Sequence, residues 1–186
     1  MHAESVAAFA MALPMLVDRR YDLLLTWLPS QHAATTYDVN IEALYDDPLV
    51  ITAGVHSPWA RRRKIDLAEL IDEPWIIQPP YTWNYVRLSE ACEARGLAMP
   101  RASLVTLSVH LVAHFLAKGP FITAYPRAVA RHLGLKVLAV DLPVRPWPVI
   151  LTTLKNRTLS PVVERFVECT RETAKSFGGP PPARSA

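Results

Sequence analysis

One stretch of the sequence, residues 66–85, places helix and strand signals so close together that it restricts the chain to an α/β fold. Asp66 followed three residues later by Glu69 predicts a helix that begins with a capping box, and Pro74 ends that helix. The apolar run Trp75-Ile76-Ile77 comes next and predicts a buried strand at about residues 75–78. A short helix is therefore expected to lead directly into a strand of the core.

The loop that follows this strand predicts a binding edge. Pro79 and Pro80 cannot continue a strand ladder, and Thr82 can cap a second helix that extends to Arg95 and is closed by Gly96. In an open α/β sheet such a loop lies at the carboxyl end of a strand, which is where these folds bind small molecules.

The same alternation continues along the chain and predicts the fold class. The apolar run Tyr21–Trp27 predicts a strand buried on both faces, as in parallel sheets covered by helices. Strands alternating with helices indicate an α/β protein with largely parallel sheets. Besides those in the first stretch, helices are predicted at residues 4–20, 108–118, 127–132 and 161–177, and strands at 39–44, 49–54, 103–106, 121–125, 137–142 and 149–154.

Connecting segments that contain proline, at residues 56–58 and 143–148, favour two lobes over a single sheet. Proline stiffens a segment that passes from one lobe to the other, and it disfavours a tight hairpin within one sheet. The chain is expected to leave the first lobe after Gly54 and to return through the strand at 149–154. The cleft between two lobes is a common place for a small ligand. We therefore predict a first lobe at residues 1–54 and 146–177, a second lobe at 55–145 and a disordered tail at 178–186.

Composition excludes several classes of protein. The chain has 186 residues, of which 51% are hydrophobic, yet no apolar run reaches the roughly 18–20 residues of a membrane span. A net charge of +3 does not by itself mark a nucleic-acid-binding surface, and the basic cluster Arg61–Lys64 is predicted to be a solvated loop. Glu4 precedes the apolar run Val6–Val17, and Asp18 follows it, which is atypical of a secretory signal. These features predict a soluble cytoplasmic protein.

Polar and aromatic residues recur where the predicted strands end. If the sheets are parallel, these positions face one side of each lobe and can converge on a ligand. Thr82 and Ser108 also begin helices, whose free N–H groups favour a carboxylate; simple capping is the alternative role, and the two roles are compatible. The aromatic residues could equally be core residues. The candidate ligand-binding residues are Thr26, Trp27, Tyr81, Thr82, Trp83, Thr106, Ser108 and Tyr125.

The sequence shows no pattern of a catalytic or metal site. His110 and His114 lie at i and i+4 of one predicted helix, but Leu-Val-Ala separates them and no third ligand is evident. No nucleophile elbow, phosphate loop or dinucleotide fingerprint occurs. We predict that the chain is not an enzyme and needs neither cofactor nor metal.

Taken in order, pieces covering about residues 15–175 resemble the effector-binding domain of LysR-type transcriptional regulators. The resemblance rests on Tyr21-Asp22-Leu23-Leu24-Leu25, Asp47-Pro48-Leu49-Val50, Ser57-Pro58-Trp59-Ala60, Asp66-Leu67-Ala68-Glu69-Leu70, Glu73-Pro74-Trp75-Ile76, the passage Leu111 to Pro126, and Leu159-Ser160-Pro161.

This resemblance implies an α/β, two-lobed, type 2 periplasmic-binding-protein-like domain in which the first lobe is incomplete. It further implies a small effector and a homo-oligomer, and the helix starts at Thr82 and Ser108 predict that this effector is anionic, aromatic acids included. DNA contact is expected only through a helix-turn-helix upstream of this chain, and no membrane contact is expected. The alternatives are a solute-binding protein for transport, a two-lobed enzyme acting on a small carboxylic acid, and a non-functional remnant.

Overall fold

The structure is a computed structural model that describes residues 9–27 and 37–178. The start of the first predicted helix, at residues 4–8, and the predicted disordered tail from 179 onward lie outside these ranges. The described chain forms two compact units, one up to Asp47 and from Trp147 onward, the other from Pro48 to Pro146.

The first unit is a three-stranded sheet covered by two helices. Its strands are β1 (Leu23–Trp27), β2 (Val39–Asp47) and β8 (Trp147–Leu154), and its helices are α1 (Phe9–Val17), which runs through Pro14, and α5 (Pro161–Lys175). The strand order is β1-β8-β2, and both pairings are antiparallel.

Two apolar clusters hold this sheet between its helices. In one, Leu16 of α1 is fully buried together with Leu24 of β1 and Ile150 of β8. In the other, Val167 of α5 packs with Leu151 of β8. Burial of each large aliphatic side chain stabilises the fold by about 1.5–3 kcal/mol.

The antiparallel first sheet contradicts the prediction of largely parallel sheets for this part of the chain. β1 is an edge strand, and Leu25 is 48% exposed, so the predicted burial of Tyr21–Trp27 on both faces is also wrong. The apolar run is compatible with either arrangement, because only the identity of its neighbour, the distant strand β8, decides its direction.

The second unit is a five-stranded mixed sheet in the order β5-β4-β6-β3-β7. β4 pairs in parallel with both β5 and β6, whereas β3 pairs antiparallel with β6 and β7. The strands are β3 (Leu49–Ala53), β4 (Trp75–Ile77), β5 (Ala102–Val105), β6 (Ile122–Pro126) and β7 (Lys136–Val137), and the helices are α2 (Trp83–Glu93), α3 (Val109–Lys118) and α4 (Arg127–His132).

The strand at residues 49–53 belongs to this second sheet, whereas the sequence suggested that the chain leaves the first lobe only after Gly54. β3 pairs with β6 on one side and with β7 on the other, and its five residues are all buried. Gly54 packs against α3 so closely that an added Cβ would lie 1.9 Å from the Leu116 carbonyl oxygen. The first crossing between the units therefore falls at Asp47 and Pro48.

Several local predictions are confirmed. Asp66 and Glu69 form the predicted capping box at the start of a short 3-10 helix, Leu67–Leu70. Gly96 adopts a φ of +66° after α2, as a helix-terminating glycine should. The predicted strand at 137–142 is wrong in extent, because only Lys136–Val137 pairs with β3.

Candidate functional site

Three adjacent parallel strands of the second unit end at the same edge of the sheet. Ile76 of β4 is level with Leu104 of β5 and with Thr123 of β6. Because side chains alternate along a strand, the residues two positions further on point to the same face as these three. The residues that form a row across the carboxyl edge are therefore Thr106, Gln78 and Tyr125.

Gln78, in the middle of this row, is a buried polar residue at only 5% exposure. Burial raises the pKa of the neighbouring Tyr125 phenol, and the approach of the Gln78 carboxamide lowers it in part. The Nε2 atom of Gln78 nevertheless lies outside hydrogen-bonding geometry with every acceptor among the described residues. A buried amide donor without a partner costs about 1–3 kcal/mol, so a ligand atom at this position would gain from meeting it.

The N-terminus of α2 opens at this edge, directly after the loop that follows β4. The Thr82 hydroxyl donates to the Pro79 carbonyl at 2.7 Å and accepts from the Tyr85 N–H at 3.4 Å, so the predicted cap is confirmed. Thr82 is only 6% exposed. The Asn84 N–H, in the first turn, has no acceptor among the residues that the structure describes.

The N-terminus of α3 opens at the same edge, beside β5. The Ser108 hydroxyl accepts from the Leu111 N–H at 3.3 Å, and the Thr106 hydroxyl accepts from the Ser108 N–H at 3.0 Å. The Thr106 N–H donates to the Ile77 carbonyl at 3.2 Å, which ties this loop to the end of β4. Ser108 itself is exposed, so the start of α3 is open to solvent.

The charge of this edge favours an anion. The loops at residues 78–84, 106–110 and 125–128 contain no Asp or Glu, and Arg127 directly follows β6 with an exposed side chain. Helix N-termini carry a partial positive charge from their free N–H groups. Two of them open on an edge that contains no carboxylate.

The structure brings six of the eight predicted ligand-binding residues to this edge. Thr106 and Tyr125 flank Gln78, and Thr82 and Ser108 cap the two helices. Trp83 begins α2 and is 8% exposed, whereas the Tyr81 side chain projects into solvent at 54% exposure. Which of the six contact a ligand stays a prediction.

The other two predicted residues, Thr26 and Trp27, lie at the end of β1 in the first unit. They pair antiparallel with Ile150 and Val149, and both are partly buried. The premise that placed them with the other strand ends was a parallel sheet, and that premise is wrong for the first unit. They remain sequence-based candidates.

Sequence reasoning missed Gln78 as a site residue. Its signal was nevertheless present, since a single polar residue follows the apolar run Trp75-Ile76-Ile77 and precedes two prolines. Only the alignment of β4 with β5 and β6 shows that this side chain is flanked by two other polar residues.

A surface depression of about 710 Å³ lies at the opposite edge of the same sheet, where β4 and β5 begin. Two carboxylates, Asp72 and Glu73, stand against a single guanidinium, Arg101. Its charge does not suit an anion, and none of the eight predicted residues lines it. The full lining is Ile71, Asp72, Glu73, Pro74, Met99, Arg101, Ala102 and Ser103.

Neither a metal-binding cluster nor a membrane-spanning helix occurs among the described residues. His110 and His114 lie on the exposed side of α3, and within residues 9–27 and 37–178 no group of three or more His, Cys, Asp or Glu side chains could hold a metal ion. Across the same residues, no helix combines the length and the hydropathy of a membrane span.

The two units of sheet and helices match the type 2 periplasmic-binding-protein-like fold. The family model described as "LysR substrate binding domain" matches residues 6–175. The chain therefore belongs to the LysR substrate-binding domain family. This membership favours a regulator over the transport protein that the sequence left open as an alternative.

Solved structures support the fold assignment. The regulatory domain of CcmR from Synechocystis PCC6803, in complex with 2-PG, has a TM-score of 0.72 and 18% identity, covering 91% of this chain and 81% of its own. The effector-binding domain of QuiR in complex with shikimate has a TM-score of 0.68 and 19% identity, with coverages of 91% and 79%. The BenM effector-binding domain with benzoate has a TM-score of 0.68 and 17% identity, with coverages of 96% and 81%. A search of curated proteins finds no match.

Proposed function

We propose that this chain is the sensor of a LysR-type regulator and binds a small organic acid at the carboxyl edge of β5, β4 and β6. The observation that carries the proposal is the opening of two capped helices, α2 and α3, on an edge whose loops contain no carboxylate. Two helix N-termini supply N–H donors and a favourable potential for an anion without requiring a buried cation.

The class of ligand follows from this potential and from what related domains bind. The proteins named above bind 2-PG, shikimate and benzoate in their respective structures. For this chain we propose a carboxylic acid with a compact cyclic or aromatic body. Tyr81, which is 54% exposed, supplies aromatic surface at the same edge, which suits such a body.

Six residues of the second unit are proposed to form the site. Thr82 and Ser108 hold the two helix starts in place, and Tyr81 supplies an exposed aromatic ring at the rim. Thr26 and Trp27 of the first unit are kept as further candidates. The contacts proposed in the second unit involve Tyr81, Thr82, Trp83, Thr106, Ser108 and Tyr125.

The regulatory step is proposed to be a shift of population. A ligand changes an equilibrium only by its difference in affinity for two states, so an acid that binds one arrangement of the domain better would favour that arrangement. We further propose that the chain acts as a homo-oligomer in the cytoplasm, performs no chemistry on its ligand, and leaves DNA contact to a helix-turn-helix outside this sequence.

A thermal-shift and calorimetry panel tests the ligand proposal on the whole 186-residue chain. The panel pairs acids with their uncharged amides, for example benzoate with benzamide. An acid at 100 times its Kd should stabilise the fold by about 2.7 kcal/mol, and the matched amide should stabilise it much less. If no acid of the aromatic or alicyclic series raises the melting temperature, the proposal is wrong.

A further inference from the structure

The two ends of the proposed site differ in exposure. Ser108, at the start of α3, is exposed, whereas Gln78, which follows β4 at the same edge, is 95% buried. Ile76, two residues before Gln78 on the same face, packs in one apolar cluster with Val112 and Leu116 of α3. The Gln78 carboxamide therefore points to the α3 side of the sheet, toward the helix whose N-terminus opens at this edge.

The charge of a ligand belongs at the exposed end. A carboxylate at the start of α3 keeps part of its hydration and gains from the N–H groups of Val109 and His110, which have no acceptor among the described residues. Burying the same charge beside Gln78 would cost several kcal/mol, because the side chains that pack around Ile76 in this cluster are apolar. The buried end of the site therefore suits a neutral polar group.

We propose that Gln78 is a specificity-determining residue, whose Nε2 donates a hydrogen bond to an uncharged oxygen of the effector while the carboxylate of that effector lies at the N-terminus of α3. This inference rests on the proposed function, since it assumes that an acid occupies this edge. It narrows the ligand class to cyclic or aromatic carboxylic acids that carry a hydroxyl or keto oxygen on the ring.

The unpaired donor of Gln78 would favour an oxygenated acid over its parent acid. Gln78 Nε2 is buried and unpartnered among the described residues, so an unsubstituted acid would leave this donor without water and without an acceptor. Sites built to hydrogen-bond a ligand group discriminate strongly against analogues that lack it, because the protein group is then left unpaired. One such bond corresponds to about 1–3 kcal/mol, or roughly a 5- to 150-fold preference.

The first measurement needs no variant. Isothermal titration of the whole chain compares benzoate with 3-hydroxybenzoate and 4-hydroxybenzoate, and cyclohexanecarboxylate with shikimate. We expect at least one oxygenated member to bind about 10-fold or more tightly than its parent acid. If the chain binds parent acids as tightly as every oxygenated partner, Gln78 has no such role although the proposed function stands. If it binds no acid at all, the proposed function itself fails.

The second measurement assigns the preference to Gln78. Gln78→Met keeps the length of the side chain and removes the amide, so affinity for the oxygenated acid should fall about 10-fold while affinity for its parent stays the same or rises. A variant that keeps the full preference overturns the proposal.

Thr152→Val is the matched control. Its hydroxyl is also fully buried without a partner among the described residues, but it lies in β8 of the first unit. It should leave both affinities unchanged. If Gln78→Met does not fold, as judged by its melting curve, the comparison of the acid pairs on the unmodified chain still decides the proposal.

Discussion

The first unit has an antiparallel sheet throughout, whereas three adjacent strands of the second unit run parallel. In an antiparallel sheet neighbouring strands end at opposite edges, so the end of β1 at Trp27 lies beside Val149, near the start of β8. In the parallel group, every strand ends at one edge and leads into a loop there. The polar row and both capped helix starts of the candidate site occur in this second arrangement.

The difference shows that apolar strand runs alone do not create a binding edge. In both units an apolar strand packs against helices: Leu24 lies in an apolar cluster of the first unit, and Ile76 lies in one of the second. What the second unit adds is a set of strands whose ends coincide. Three pairs of matched substitutions and one single substitution would break or sharpen this comparison.

The largest effect is expected from core truncation of the two units. Trp75 is fully buried in β4, and its Nε1 donates to the Leu70 carbonyl at 2.7 Å. Trp75→Ala should lower the free energy of unfolding by about 3–5 kcal/mol and abolish ligand binding. Leu16→Ala in α1 should cost about 2–5 kcal/mol. Hydrogen exchange should show the first substitution loosening β4 and its neighbours and the second loosening β1 and β8.

That pattern would support two separate cores. Equal loss of protection in both units from either substitution would contradict it. Trp75→Phe, which keeps most of the ring volume, serves as the control and should cost much less than alanine.

A smaller effect is expected from two ion pairs of the same i,i+3 spacing. Arg87 of α2 is 5% exposed, pairs with Glu90 and also donates to the Arg145 carbonyl oxygen, close to the point where the chain leaves the second unit. Arg87→Met should destabilise the protein by about 1.5–3 kcal/mol, because the hydrogen bond that the buried guanidinium donates to the Arg145 carbonyl is lost.

Arg165 of α5 pairs with Glu168 at the same spacing but on the surface. Arg165→Met should produce no measurable change in chemical denaturation, since exposed pairs contribute little. If both substitutions destabilise the protein to a similar extent, burial does not explain the expected difference between the two ion pairs.

The helix caps are expected to separate stability from binding. Thr82 caps α2, and Ser160 caps α5 by accepting from the Val163 N–H at 3.5 Å. Replacing either residue by alanine should cost about 1 kcal/mol of stability. Only Thr82→Ala should also weaken acid binding, by a few-fold, in calorimetry. An equal loss of affinity in Ser160→Ala would contradict the location of the site.

The smallest effect at neutral pH concerns two tyrosines. Desolvation and the nearby Asp47 carboxylate raise the pKa of Tyr45, in β2, to about 12, and burial raises the pKa of Tyr125. A phenol whose folded pKa exceeds its unfolded value contributes stability that is present below pH 10 and is lost as pH rises toward 12. Tyr45→Phe should remove one step near pH 12 from an absorbance titration and leave stability at pH 7 almost unchanged.

Much of the local structure could be predicted from the sequence. The capping box at Asp66, the caps at Thr82, Ser108 and Ser160, and the glycine stop at Gly96 are all present. Each depends on residues within a few positions of one another, so a short stretch carries the complete signal. The resemblance to LysR-type regulators also predicted the two-lobed fold class, and the match of the family model to residues 6–175 confirms that family.

The candidate site was only partly predictable. Thr82, Ser108 and Tyr125 were identified because strand ends and helix starts are visible in the sequence. Gln78 was missed because its importance depends on lying between Thr106 and Tyr125, which are distant in sequence. Thr26 and Trp27 were grouped with the others on the premise of parallel strands, which the first unit does not meet.

The stretch at residues 66–85 shows which features the sequence determined and which only the tertiary structure decided. Its residues alone determined a capped helical turn, a buried strand, a proline-closed loop and a second capped helix, because backbone hydrogen bonding and proline geometry act over short distances. Tertiary structure decided that this strand lies between two parallel neighbours, and that Gln78 occupies the middle of a polar row. Strand pairing joins residues far apart in the chain, and an apolar run packs equally well in either direction until its partners are in place.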